Sequence, residues 1–152
     1  MKKTLTLLII HKDEKVLLGM KKRGFGVGRW NGFGGKVDKG ESIEEAAKRE
    51  LFEESGLAVD VIEKMGVLDF SWQNKPDMVL QVHIFKVSDF SGFPTETEEM
   101  KPEWFLVKDI PYQKMWADDK YWFPLLLEGK KFTGKFVFNE ANAVVEHQLH
   151  DN

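Results

Sequence analysis

The sequence predicts an α/β sandwich with one mixed β-sheet and two main helices. Runs of β-branched and aliphatic residues, several separated only by short turn-forming gaps, outnumber the two segments with helical spacing. The strands come as hairpins and do not alternate with helices one for one, which disfavours a doubly wound parallel sheet. At 152 residues the chain has the length of one domain with one core, so residues 1–152 are read as a single unit.

The elements follow in order. Residues 4–10 and 15–21 are aliphatic, β-branched runs joined by the turn Lys12-Asp13-Glu14. Residues 23–35 carry glycine at 24, 26, 28, 32, 34 and 35, a density that predicts a loop with tight bends. Residues 42–55 space Ile43, Ala46, Ala47 and Leu51 as one helical face. Ser42 stands as N-cap with Glu45 three residues on, and Gly56 stands as the stop. Residues 59–72 and 78–87 read as strands around a turn at 73–77, and 103–107 as a short strand after Pro102. Residues 118–127 read as a second helix with acidic residues in its first turn. Residues 132–139 and 143–149 close the chain as a hairpin turning at 139–142.

Composition narrows the function classes. The net charge of −3 offers no general affinity for nucleic acid polymers or anionic membranes, so an anionic substrate has to be held by a local site. With no cysteine there is no disulfide framework and no thiol chemistry, which fits a reducing compartment. The expected location is the cytoplasm, with mitochondrion or nucleus as further settings. The opening MKKTLTLLIIHKDEK reads as a first strand, because its apolar run is short and meets charged residues at once. No apolar stretch approaches the roughly 20 residues of a membrane span. No heptad or apolar stripe demands a partner, so a monomer is expected.

Residues 35–57 carry the chemistry. Gly35, Glu41, Arg49, Glu50, Glu53, Glu54 and Gly56 are its fixed points, with aliphatic Leu51 and Leu57 among them. Glu50, Glu53 and Glu54 share one helix face within a turn, where like charges repel. A hard divalent cation resolves that conflict, since Mg2+ takes oxygen ligands and leaves positions for water and phosphate. The bland reading, a solvated acidic face, fails on specificity: the full pattern recurs by chance about once in 10⁹ windows. Arg49 can pair with Glu53 at i+4 and orient it, or form a plain surface salt bridge. Glu41 sits where negative charge suits a helix start.

This pattern, G-x5-E-x7-R-E-U-x-E-E-x-G-U with U aliphatic, matches the Nudix box, and the chain resembles the Nudix hydrolases. The resemblance implies the Nudix fold, an α/β/α sandwich, and Mg2+-dependent cleavage of a diphosphate linkage, with Mn2+ as a substitute. It makes Glu50, Glu53 and Glu54 metal ligands together with the Gly34 carbonyl and a further Glu outside the box. Glu99 is preferred over Glu98 for that last place by alignment with the group named next; without that alignment the two are nearly even and a solvated acidic loop is the default reading. Gly35, Lys21 and Lys36 are further phosphate-end candidates, each weak alone.

Residues 17–37, 99–105 and 115–127 are similar to those of the oxidised purine nucleoside triphosphatases, the MutT-homologue group of 8-oxo-dGTPases within that family. The similarity implies hydrolysis of 8-oxo-dGTP and 2-hydroxy-dATP type substrates to monophosphate and pyrophosphate, which sanitises the nucleotide pool. It implies that Trp116 stacks on the base, that Asn31, Asp118 and Asp119 bond its edge, and that Thr6 and Lys21 make further contacts. A flat purine needs such walls and edge partners. Phe25, Phe33, Phe70 and Trp72 are further wall candidates, although core packing is the commoner fate of any one aromatic. Adjacent Asp118 and Asp119 in an aromatic pocket repel each other and lose solvent, which raises pKa, so one is expected to stay protonated near neutral pH. The alternative is a simple helix N-cap pair. Two departures from the group's pattern affect substrate preference: Ala117 follows Trp116 where proline is familiar, and residues 76–83 run one residue longer, leaving the pocket position at Val79 or Leu80 open. Competing functions are a Nudix pyrophosphatase for a dinucleoside polyphosphate, nucleotide sugar or cap, and a non-catalytic nucleotide-binding module, which the intact glutamates disfavour.

Overall fold

A computed structural model describes residues 1–152. Strands β1 (Lys2–Lys12), β2 (Lys15–Lys21) and β3 (Trp30–Asn31) precede helix α1 (Ile43–Ser55). Then come β4 (Glu63–Trp72), β5 (Lys75–Val87), β6 (Met100–Leu106), two short 3-10 turns, α2 (Asp119–Leu127), β7 (Phe132–Phe138) and β8 (Val144–Asp151). The sheet runs β3-β2-β1-β5-β4-β7-β8, with β6 on β2. It is mixed, as expected: β1 with β5 and β4 with β7 are parallel, and the other pairs antiparallel.

Alternation along the strands builds two cores. Ile9 and Ile84 face one side with Trp122, Phe123 and Leu126 of α2. Leu8, Ile10, Phe85 and Val87 face the other with Ala47 and Leu51 of α1. The result is helix, sheet, helix. No helix is long and apolar enough to cross a membrane.

One irregularity creates the site. β1 and β2 pair only at their hairpin end, from Ile10↔Leu17 to Lys12↔Lys15. Beyond it β1 and β2 part. β2 keeps β6, with which it pairs along its whole length, and takes up β3 at Gly19 and Met20. The loop after β3 fills the gap beside β1: Leu8 N–H donates to Phe33 O at 2.7 Å and Thr6 N–H to Gly35 O at 2.8 Å. The backbones approach so closely that a Cβ on Gly34 would lie 1.9 Å from the Thr6 carbonyl oxygen, so only glycine fits.

Several boundaries differ from expectation. Trp30–Asn31, inside the expected loop, pairs with Gly19 and Met20. β4 begins at Glu63, not 59. β5 begins at Lys75, so the turn is only Gln73-Asn74. Phe70 pairs with Leu80 and Ser71 with Val79, and a register shift between Ser71 and Trp72 then brings Trp72 opposite Lys75. β6 starts at Met100 and runs through Pro102, which an edge strand tolerates because its outer side needs no donor. α1 follows its local signals: Ser42 and Glu45 form a reciprocal capping box, and Gly56 ends the helix at φ 78°.

Candidate active site

A cavity of about 520 Å³ opens beside the gap between β1 and β2. Its apolar part is set by the face of the sheet turned toward α2, with Leu7, Leu80, Phe70 and Trp72 as lining. Phe70 is held by Phe136 and Phe138, each with ring centroids 5.8 Å away. Trp116 and Phe25 lean together at the mouth, their centroids 5.0 Å apart.

Asp118 and Asp119 enter this apolar wall from the start of α2, each only 3% exposed. Neither caps the helix in the ordinary way. Asp118 is the N-cap residue but its side chain makes no capping bond; its Oδ2 accepts from Trp122 Nε1 at 2.7 Å. Burial pushes both carboxyls up, and the Asp118 charge raises Asp119 further. Asp119 Oδ2 is buried with no partner in the protein. A buried oxygen left unbonded costs free energy unless a ligand meets it. Asn31 lines the same space, its Oδ1 accepting from Gly32 N–H at 2.9 Å.

The cavity continues to Thr6, Lys21, Gly34, Gly35, Lys36 and Glu54. Glu54, 5% exposed, accepts from Gly34 N–H at 2.9 Å. Burial raises its carboxyl to about 8; the Gly34 N–H opposes this, and nearby Glu50 adds to it. Glu50, also raised by burial, packs on Gly35 so closely that a Cβ there would meet its carboxyl carbon at 2.7 Å. Thr6 Oγ1 lies 3.5 Å from the Gly35 backbone.

Arg49 organises the acidic face. It grips Glu41 with two bonds of 2.7 and 3.0 Å, Glu50 at 2.9 Å, Glu53 at 3.2 Å and the Lys36 carbonyl at 3.1 Å. The expected Arg49 to Glu53 pair is present, but Glu41 takes the bidentate grip and so has a defined task. Glu99 lies across the gap, bonded by Lys21 at 3.1 Å and by Arg23 at 2.8 Å, and Arg23 above all holds its carboxyl below the usual range.

No three His, Cys, Asp or Glu side chains converge at metal-holding distance. The donor chemistry nonetheless fits a hard cation: carboxylates and a backbone carbonyl, one carboxyl buried and raised, another seated in a cradle only glycine leaves open. Glu50, Glu53, Glu54, Glu99 and the Gly34 carbonyl are the groups that could hold it.

Phe33 corrects the sequence reading. It is fully buried with Leu8, Ala47 and Leu51 and does not line the cavity, because its pairing with Leu8 turns it toward α1. Arg49, Glu50, Glu53 and Glu99 do not line the cavity. Arg49 bonds the Lys36 carbonyl, Glu50 packs on Gly35 and Glu99 accepts from Lys21, so these three touch lining residues, while Glu53 reaches them only through Arg49. Lys3, Met78, Val82 and Phe138 line it and were missed; the alternation Lys3-Leu5-Leu7 and Met78-Leu80-Val82 was the available signal.

Comparison with known proteins agrees with this geometry. A NUDIX domain model matches residues 2–126. The oxidized purine nucleoside triphosphate hydrolase of Mus musculus is 52% identical over 146 residues, covering 96% of this chain and 93% of that protein. The protein of the same name from Danio rerio is 52% identical over 147 residues, covering 97% and 94%. The crystal structure of a MutT protein from Bacillus halodurans superposes with a TM-score of 0.87 at 28% identity, covering 97% of each chain.

Proposed function

The chain belongs to the NUDIX family, and from that premise we propose that it hydrolyses oxidised purine nucleoside triphosphates to the monophosphate and pyrophosphate, keeping damaged nucleotides out of DNA synthesis. The observation that carries this reading is one continuous cavity bordered by Trp116, Asp118 and Asp119 at one end and by Gly34, Gly35 and Glu54 at the other. A purine nucleotide has the same two ends. The 52% identity to two oxidized purine nucleoside triphosphate hydrolases over nearly the whole chain supports the substrate class.

The base end is read by this chain's own groups. Trp116 offers a stacking face and Asn31 an amide for the purine edge. Burial pushes both carboxyls of the Asp118 and Asp119 pair up, and the Asp118 charge raises Asp119 further, which favours a shared proton; a pair that shares one has a carboxyl that donates and a carboxyl that accepts. A pair that can do both suits oxidised guanine and oxidised adenine alike. At the other end Glu50, Glu53, Glu54, Glu99 and the Gly34 carbonyl would hold Mg2+, with Mn2+ as a substitute. When bound, the cation supplies charge neutralisation on the phosphate oxygens and acidifies the attacking water. Arg49 holds Glu50 and Glu53 in place, and Lys21 and Lys36 offer positive charge to the phosphates. The enzyme is proposed to act as a cytoplasmic monomer on a free nucleotide.

Pyrophosphate release with Mg2+ from 8-oxo-dGTP, 2-hydroxy-dATP, dGTP, a dinucleoside polyphosphate and a nucleotide sugar tests the proposal. The two oxidised nucleotides should be preferred. Turnover of dGTP equal to that of 8-oxo-dGTP would defeat the base reading.

A further inference from the structure

Trp116 is held from outside the cavity as well as exposed within it. The Arg29 guanidinium carbon lies 4.4 Å from the centre of the Trp116 ring. Arg29 joins none of the molecule's ion pairs. It also does not line the cavity, whereas Trp116, Phe25 and Gly26 do, so it covers indole surface turned away from the substrate space. The loop that delivers it is tightly folded: Gly28 N–H donates to Lys21 O at 2.9 Å, Arg29 N–H to Gly26 O at 3.1 Å and Lys21 N–H to Arg29 O at 3.0 Å. Gly24, Gly26 and Gly28 all have positive φ, and a Cβ on Gly26 would lie 3.3 Å from Trp116 Nε1. The loop therefore clasps the indole, and Arg29 is the one cation of that clasp stacked on the ring.

We propose that Arg29 is a positioning residue for nucleobase binding, which fixes the tilt of Trp116 and sets how strongly its inner face takes a purine. This rests on the reading of Trp116 as the stacking wall. A guanidinium on one face of an indole is attracted to the ring and draws electron density toward itself. The opposite face then favours an electron-rich base, and 8-oxoguanine is more electron-rich than guanine.

The test is a double-mutant cycle with Arg29→Gln, Trp116→Leu and their combination, alongside Arg29→Lys. The readouts are KM and kcat for 8-oxo-dGTP, and calorimetric affinity for the monophosphate product without metal. Arg29→Gln should raise KM and the product Kd about three- to tenfold, the worth of one such contact, with kcat changed far less. Arg29→Lys should recover part of the loss, and Arg29→Gln should add nothing once Trp116 is Leu. An equal loss in the Trp116→Leu background would show that Arg29 acts elsewhere and overturn the proposal. Unchanged KM and Kd in Arg29→Gln, with both raised in Trp116→Leu, would overturn it and leave the stacking reading standing. Unchanged binding in Trp116→Leu would remove the stacking reading and the proposal with it.

Discussion

At the scale of single residues, Glu54 is where burial and charge pull hardest against each other. Its carboxyl is raised to about 8, so in the metal-free protein the fold binds a proton that the unfolded chain, with an ordinary carboxyl, has lost. The native state holds more protons between the ordinary value and about 8, so stability falls as pH rises through that window. In EDTA the Tm should therefore decline from pH 5 to pH 8.5, and Glu54→Gln should flatten the decline; an unchanged slope in the variant would place the cause elsewhere. The same substitution should cut pyrophosphate release about 10²–10⁴-fold with the circular dichroism spectrum intact. Retained activity would remove Glu54 from the metal set. The aspartate pair makes a separate prediction. Since Asp118 and Asp119 are both pushed up, 8-oxo-dGTP and 2-hydroxy-dATP should show displaced kcat/KM pH profiles, as each needs a different proton arrangement. Superimposable profiles would count against a shared proton. The carboxylates were readable in the sequence because motif spacing on a helix is local. Phe33 was not: whether an aromatic in a glycine-rich loop becomes wall or core depends on its pairing with Leu8.

At the scale of elements, α1 and the loop before it differ in how firmly they are tied. The Ser42 and Glu45 capping box satisfies helix-end donors at an exposed site. Ser42→Ala should cost about 1 kcal/mol, read as a Tm lower by about 2–4 °C, with activity per folded molecule unchanged. Gly34 has no such latitude, since a Cβ there would strike the Thr6 carbonyl oxygen at 1.9 Å. Gly34→Ala should force the loop off β1 and lower both Tm and activity far more than Ser42→Ala does; near-normal behaviour would show that the loop can be displaced without harm. The capping box and glycine stop of α1 were legible because each acts within a few residues. β3 was not, because two residues become a strand only through pairing with Gly19 and Met20. The start of β6 was hidden behind Pro102, a residue that ends strands except at an open edge.

At the scale of the whole molecule, the mixed sheet was readable as a class but not as an order, since β1 beside β5 and β4 beside β7 join segments far apart in sequence. Such pairings form slowly, because a long loop must close before any contact rewards it. After dilution from urea, hydrolytic activity should return together with the sheet's circular dichroism signal, on a millisecond-to-second scale. Activity appearing ahead of the sheet would mean that the α1 region works alone. The core on the α2 side has a consequence for the living cell. It draws Trp122, Phe123 and Leu126 from the same late stretch of chain that supplies Asp118 and Asp119, and closes them over Ile9, Leu68 and Ile84 from the early strands. A protein interrupted before that stretch lacks Asp118, Asp119 and the α2 side of its interior together, while the core between α1 and the sheet draws only on earlier residues. The proposed base readers and the packing of half the molecule therefore arrive in one late step of synthesis, so completing the fold on that side and completing the proposed recognition end are the same event.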